Sequence, residues 1–214
     1  MDSDTLRGAL AAALAFVLPV ACAGCDAPDE VLCARCRTAL LPAVVARSVA
    51  GLEVRSGLVY DGVAARVIRA LKEDGRTGLA RPLAAGLTAA ALTASWPPAD
   101  AVVAVPTSRA SMRRRGYRVA ELLARRAGWR TEPLLRLGRP TADQRALGRV
   151  ERAGNVAGSM RARPCAGRRI LLVDDVVTTG ATLQEAARAL REGGAEVVGA
   201  VTAAATPRRL ALAR

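Results

Sequence analysis

The sequence contains no histidine, one lysine and only five aromatic residues among its 214 residues. The missing histidine excludes catalysis by a histidine base and any metal site that needs an imidazole ligand. Because aromatics are so few, leucine, valine and alanine must form the hydrophobic core. With 51% apolar and 24% charged residues, the chain is too hydrophobic to be disordered. Its length fits one domain of ordinary size plus a small appendage.

A long hydrophobic segment is also missing. Residues 8–23 form the longest apolar stretch, which is shorter than the roughly 20 residues that a spanning helix needs. Two acidic residues and one arginine precede it, whereas a secretion signal needs a positively charged leader. We therefore predict an amphipathic helix over residues 4–17 that ends before Pro19, no membrane span, and a cytoplasmic protein. A targeting segment cleaved near the small residues 21–23 is the alternative.

The net charge of +13 is concentrated in one part of the chain. Residues 102–169 contain seventeen arginines and four acidic residues, whereas the segments before and after them are neutral overall. Such a basic segment is typical of a surface that meets anions, either the phosphates of a small substrate, a nucleic acid or an anionic surface. An exposed, solvated face without a partner is the alternative.

Four of the five cysteines form two Cys-x-x-Cys pairs, Cys22 with Cys25 and Cys33 with Cys36. Two such pairs supply four thiolates that can surround Zn²⁺ tetrahedrally. Since the protein then fills every coordination position, the zinc would be structural. Two disulfides or four free thiols are the alternatives, and a reducing compartment favours zinc. Cys165 stands alone and is predicted to be a small apolar core residue.

Beyond about residue 50, short apolar runs alternate with helical periodicity. This alternation predicts an α/β fold, a parallel sheet flanked by helices, with ligand sites at the carboxyl ends of the strands. We expect an N-terminal helix and zinc-knuckle module in residues 1–45 and the α/β domain in residues 46–214. The predicted strands are 54–60 (an edge strand), 101–105, 170–173 and 197–201. The predicted helices are 63–71, 79–95, 121–127 and 181–191. For residues 131–163 we predict a long loop or hairpin.

Residues 170–182 carry the strongest chemical signal. An apolar strand leads to two adjacent aspartates, a threonine-rich turn and a helix. Backbone N–H groups and hydroxyls at a helix N-terminus suit a phosphate monoester, and Gly180 lets the backbone approach it closely. Paired carboxylates can accept hydrogen bonds from vicinal ribose hydroxyls and help to hold Mg²⁺. The pattern predicts a ribose 5-phosphate site made of Asp174, Asp175, Thr178, Thr179, Gly180, Ala181 and Thr182. A threonine-capped helix is the alternative, but it needs no aspartate pair.

This segment resembles the phosphoribosyl diphosphate (PRPP) loop of type I phosphoribosyltransferases. Together with the cysteine pairs, further motifs resemble the ComF family, a phosphoribosyltransferase-like group linked in bacteria to competence and DNA uptake. The similarity runs from about residue 15 to residue 204. The motifs are Val105-Pro106, Arg115-Gly116-Tyr117, Glu121-Leu122-Leu123-Ala124, Arg139-x-Thr141-x-x-Gln144-x-x-Leu147 and Arg152-x-x-Asn155-Val156.

The resemblance implies PRPP binding with Mg²⁺ and transfer of the phosphoribosyl group to a nitrogen acceptor with release of pyrophosphate. It implies that the aspartate pair is catalytic, that Arg115, Arg118 and Lys72 reach the pyrophosphate, and that residues 139–157 form a hood. The sequence departs from the family pattern where Arg118 and Val119 replace an Asn-Gln pair. That change puts the second-substrate pocket in question more than the phosphate loop.

Two other functions compete with enzymatic transfer. The cysteine module and the basic segment could bind single-stranded DNA in a non-catalytic, DNA-uptake accessory role, although Tyr117 and Trp129 are the only aromatics there for base stacking. The third possibility is an interaction module with an inactive site. The complete set of aspartates and threonines argues against it. A homodimer is the expected assembly where one forms.

Overall fold

A computed structural model describes residues 20–138 and 157–207 of the chain. The predicted helix over residues 4–17 and residues 139–156 of the predicted hood lie outside the described residues. The described helices are α1 (Ala34–Thr38), α2 (Gly62–Glu73), α3 (Ala80–Leu92), α4 (Arg109–Arg115), α5 (Val119–Arg126) and α6 (Ala181–Glu192), with a 3₁₀ turn at Thr77–Leu79. The described strands are β1 (Val45–Val49), β2 (Leu52–Val59), β3 (Ala101–Ala104), β4 (Leu135–Leu137), β5 (Met160–Ala162), β6 (Arg169–Val177) and β7 (Glu196–Ala205).

Five of these strands form one sheet in the order β1-β2-β7-β6-β3. The four strands from β2 to β3 are parallel to one another, and β1 pairs antiparallel with β2. Helices α2, α3 and α5 contribute to one hydrophobic cluster, whereas α6 and the β4–β5 ribbon contribute to a second. The predicted α/β class, with a mostly parallel sheet flanked by helices, is confirmed.

The structure corrects three of the predicted element bounds. Residues 54–60 are not an edge strand, because β1 covers the outer side of β2. The predicted strand 170–173 continues to Val177, so both aspartates lie inside β6. The second predicted helix ends at Leu92 instead of residue 95.

The cysteine module packs directly on α2. Cys22, Leu32 and Cys36 are buried in the same hydrophobic cluster as Val67 and Ile68 of that helix. The guanidinium of Arg76 also contacts the module, since it donates to the Ala21 and Val31 carbonyls at 2.8 and 2.9 Å. The division of the chain at residue 45 stays a prediction. In the part of the chain that the structure describes, no helix has the length and hydrophobicity needed to cross a membrane.

Candidate functional site

The carboxyl end of β6 and the start of α6 form a turn that we call the phosphate loop, residues 178–182. Gly180 precedes α6 with φ at 88°, a left-handed conformation that favours glycine. The helical hydrogen bonds begin with the Gln184 N–H, which donates to the Gly180 carbonyl at 2.9 Å. The N–H groups of residues 181–183 belong to the first turn of α6, where the helix dipole favours an anion, and that of Ala181 donates to Oγ1 of Thr179 at 3.3 Å.

A side chain at position 180 would not fit. A Cβ atom built on Gly180 would lie 2.5 Å from Cγ1 of Val49, at the end of β1. Strand β1 also contains Arg47, which donates to the Thr178 carbonyl at 3.0 Å and to the Thr206 carbonyl at 2.7 Å. Strand β1 thus positions the phosphate loop. Sequence analysis missed Arg47, because no pattern predicted a strand at residues 45–49.

The aspartate pair, Asp174 and Asp175, lies beside the phosphate loop. Nζ of Lys72 lies 3.0 Å from Oδ2 of Asp175, so the cation that the resemblance assigned to pyrophosphate is an ion-pair partner of the aspartates. The backbone N–H of Asp175 donates to Oδ1 of Asp174 at 2.8 Å. Burial, and secondarily the negative charge of Asp175, raises the pKa of Asp174 to about 8.

The loop after β3 reaches the same region. The Val105 N–H donates to the Val173 carbonyl at 2.9 Å, which brings the end of β3 next to the aspartate pair. The loop contains helix α4, which the sequence did not predict. Gly116, with φ at 77°, caps the C-terminus of this helix. The Tyr117 hydroxyl then donates to the Leu71 carbonyl, one residue before Lys72. Burial raises the pKa of Tyr117, so this hydroxyl remains a donor at neutral pH.

The two predicted pyrophosphate arginines lie in different surroundings. Arg115 is half-buried, and its Nε atom is buried with no hydrogen-bond partner in the described structure. An unsatisfied buried donor near Tyr117 fits an anion. Arg118 is exposed and pairs with Glu121 at 2.9 Å on α5. Of the two, Arg115 is the arginine with a buried donor that an anion could satisfy.

The four cysteines of the N-terminal module converge as the spacing predicts. The Sγ atoms of Cys22, Cys25, Cys33 and Cys36 all lie within 4.8 Å of one another. Two of them, on Cys25 and Cys33, are 3.6 Å apart, close to the roughly 3.8 Å edge of a tetrahedron with 2.3 Å Zn–S bonds. Gly24 leaves room for this approach, since a Cβ there would lie 2.6 Å from the Cys36 sulfur. The cluster is compatible with a structural zinc ion.

Electrostatics in the cluster also favour a cation. Burial alone would raise the pKa of the Cys22 thiol, but the backbone N–H groups of Cys33 and Gly24 lower it to about 6. Burial and the neighbouring sulfurs raise the pKa of Cys36 to about 12. Four thiolates this close repel one another strongly, and a divalent ion removes that repulsion. Cys165 lies apart, buried in the second hydrophobic cluster as predicted.

Comparison with known proteins agrees with this geometry. Residues 111–213, which include the aspartate pair and the phosphate loop, match the phosphoribosyl transferase domain family. That part of the chain is therefore similar to a phosphoribosyl transferase domain. The match begins within α4, so the cysteine module and the first half of the sheet precede the matched region.

Curated relatives support the resemblance to the ComF family. The chain is 36% identical over 106 residues to the DNA utilization protein YhgH of Escherichia coli K12, covering 46% of each chain. It is 32% identical over 108 residues to competence protein F of Haemophilus influenzae, covering 46% of this chain and 47% of that protein. The chain thus spans about half the length of the curated relatives it matches. A short stretch of 32 residues, 15% of this chain and 18% of the relative, is 59% identical to the orotate phosphoribosyltransferase of a Nocardioides species.

Proposed function

We propose that the chain binds PRPP at the phosphate loop and transfers its phosphoribosyl group to a nitrogen acceptor, with release of pyrophosphate. The observation that carries the proposal is the aspartate pair at the carboxyl end of β6, salt-bridged to Lys72 and followed directly by the phosphate loop. One ligand with a phosphate and a vicinal diol satisfies both parts. The names of the relatives support a role in competence or DNA utilization.

In this proposal each group has a separate task. The N–H groups at the N-terminus of α6 and the hydroxyls of Thr178, Thr179 and Thr182 bind the 5-phosphate. The aspartate pair binds the ribose hydroxyls and stabilises positive charge as the bond from C1 to the diphosphate breaks and the bond from the acceptor nitrogen forms. Arg115 and Lys72 supply positive charge on the side where the diphosphate leaves.

The donor set also fits magnesium. Mg²⁺ is usually bound by one or two carboxylates together with substrate phosphates, and Asp174 and Asp175 would supply those carboxylates. When bound with PRPP, the ion neutralises charge that develops on the departing diphosphate.

The test is calorimetric titration of PRPP with Mg²⁺ into the full chain and into an Asp174→Asn/Asp175→Asn double variant. Micromolar binding by the unmodified chain and its loss in the variant support the proposal. The matched control is Asp29→Asn, an exposed aspartate of the cysteine module whose φ of 63° asparagine tolerates. Equal binding by the double variant, or no binding by the unmodified chain, overturns it.

Single-stranded DNA binding is a second candidate, which one observation favours. Helices α4 and α5 and the turn after them expose five arginines that make no ion pair within the described residues: Arg113, Arg114, Arg125, Arg126 and Arg130. Tyr117 and Trp129 are both packed against the hydrophobic core. Binding here would therefore depend on phosphate contacts rather than on base stacking.

Salt dependence tests this candidate. We expect the logarithm of the affinity for oligothymidine to fall linearly with the logarithm of salt concentration, with a slope of about −0.7 for each phosphate contact. An Arg113→Ala/Arg125→Ala variant should make that slope shallower by about 1.4. Fluorescence anisotropy of a labelled oligonucleotide measures both. No binding at 50 mM salt, or an unchanged slope in the variant, contradicts DNA binding by this face.

A further inference from the structure

Tyr117 lies in the turn between α4 and α5 and contacts α2, a helix that is distant from it in the sequence. Its ring packs against the hydrophobic cluster to which α2 contributes. Its hydroxyl donates to the carbonyl of Leu71, 46 positions earlier in the chain and in the last turn of α2. One side-chain hydroxyl thus joins the loop after β3 to the C-terminal end of α2.

The Leu71 carbonyl depends on this hydroxyl for its hydrogen bond. The chain turns at Gly75, which has φ at 69°, and the N–H groups of Asp74 and Arg76 both donate to the Ala70 carbonyl, at 3.1 and 3.3 Å. Within the described residues no backbone N–H donates to the Leu71 carbonyl. Leu71 is 0% exposed, so water does not reach this carbonyl. A buried carbonyl without a donor is costly, and the last turn of α2 would have to move to avoid that cost.

Lys72 is the next residue of the same turn. Its Nζ atom lies 3.0 Å from Oδ2 of Asp175. Because Lys72 follows Leu71 directly, a movement of the last turn of α2 also displaces the backbone from which the lysine side chain extends. The attraction between the two charges falls with distance, and the hydrogen bond between them weakens as its geometry changes. Tyr117 therefore acts on the aspartate pair through Leu71 and Lys72.

We propose that Tyr117 is a positioning residue, whose hydroxyl holds the last turn of α2 in the place from which Lys72 reaches Asp175. The hydroxyl does not touch the ligand in this proposal; it keeps the lysine in position for the aspartate pair. The effect of Tyr117 on PRPP binding rests on the proposed function. Its effect on the position of the lysine does not, so the two can be measured separately.

The first test observes the lysine directly and needs no ligand. Because Lys72 is the only lysine of the chain, protein labelled with carbon-13 at the lysine Cε gives one lysine side-chain signal in an NMR spectrum. Tyr117→Phe keeps the ring but removes the hydroxyl, and at constant pH it should move this signal toward that of a free, solvated lysine. The matched control is Tyr60→Phe, since Tyr60 is also partly buried and its hydroxyl makes no hydrogen bond within the described residues. An unchanged signal in Tyr117→Phe, or an equal change in the control, overturns the proposal.

The second test measures PRPP affinity by calorimetric titration in a double-mutant cycle of Tyr117→Phe and Lys72→Met. We expect Tyr117→Phe to weaken binding roughly three- to tenfold in the unmodified chain and to have no further effect in Lys72→Met. Effects that multiply in the double variant would overturn the proposal, because a general loss of structure weakens binding equally in both backgrounds. If the unmodified chain binds no PRPP while its lysine signal still depends on Tyr117, the proposed function fails and the positioning role stands.

Discussion

Nζ of Lys72 lies 3.0 Å from Oδ2 of Asp175 and joins the last turn of α2 to the carboxyl end of β6. The two side chains are only 25% and 16% exposed, so water screens their attraction less than it would at the surface. The charge of Lys72 also opposes the rise in the pKa of the adjacent Asp174. The only lysine of the chain thus holds together two carboxylates that would otherwise repel each other.

Replacement of this lysine should therefore affect both stability and ligand binding. We expect Lys72→Met to lower the free energy of unfolding by about 1–2 kcal/mol and to weaken PRPP binding at least about tenfold. Urea denaturation and calorimetric titration measure the two effects. Lys72→Arg keeps the charge and should retain most of the stability. Equal losses in the methionine and arginine variants would show that the charge is not what matters.

The phosphate loop should tolerate no side chain at its glycine. Gly180→Ala brings a Cβ to 2.5 Å from Val49 and also places alanine at a φ of 88°. We expect a loss of about 1–3 kcal/mol of unfolding free energy together with weaker PRPP binding. Thermal unfolding and titration check both.

A second substitution separates the two causes. Val49→Ala removes the steric contact but leaves the backbone strain, so it should restore part of the stability lost in Gly180→Ala. If Gly180→Ala alone is as stable as the unmodified chain, the contact between the β1 hairpin and the loop is not rigid.

Zinc content should depend on the cysteine cluster and not on the fifth cysteine. Cys36→Ser removes a sulfur ligand and should reduce zinc from about one ion per chain to a small fraction of that. The melting temperature should fall in parallel, because the module packs on α2. The control Cys165→Ala alters a buried cysteine outside the cluster and should keep its zinc. Elemental analysis of the purified proteins measures the zinc content, and equal zinc in both variants would refute the site.

Glu185 should contribute to stability in a pH-dependent manner. This α6 side chain is 3% exposed, accepts from the Met160 N–H at 2.9 Å and pairs with Arg188 at 2.7 Å. Burial alone would raise the pKa of Glu185, but Arg188 and the Met160 N–H lower it below its ordinary value of 4.5. Its stabilising effect is therefore complete above the unfolded pKa and disappears as pH falls through the lower folded pKa.

The measurement compares Glu185→Gln with the unmodified chain by thermal unfolding across pH 3 to 8. We expect the variant to be less stable by roughly 1–3 kcal/mol at neutral pH and the difference to shrink below about pH 4.5. A difference that stays constant down to pH 3 would mean that packing, not charge, is responsible. Arg191→Ala, on the exposed side of the same helix, is the control.

Much of this site was predictable, because its signals are local. The apolar run before Asp174, the threonines and Gly180 fall in one short stretch, and each has a direct physical reason. The two cysteine pairs are equally local, and their spacing predicts a cluster that the fold brings within ligand distance. The parallel sheet followed from the alternation of apolar runs and helical periods.

What the sequence did not predict depends on contacts between distant segments. Strand β1 has an exposed, weakly apolar face and takes its conformation from pairing with β2, so no local pattern marked it or Arg47. Helix α4 buries no residue and has four arginines among its seven residues, so it has no apolar periodicity that would predict a helix. The pairing of Lys72 with Asp175 depends on the packing of α2 on the sheet, and the sequence suggested only that Lys72 reaches an anion and that the aspartates bind a diol and Mg²⁺.

The strand order has a consequence for synthesis. Strand β7, the last described strand in the chain, lies between β2 and β6, and the buried Ser56 and Thr202 hydroxyls join across the sheet at 2.7 Å. Contacts between such distant segments close slowly, because loop entropy must be overcome first. While the ribosome is still translating residues 196–205, β2 and β6 have no strand between them. The nascent chain therefore exposes the edges of both strands until residues 196–205 have been made, and in that interval it is open to aggregation and to chaperone binding.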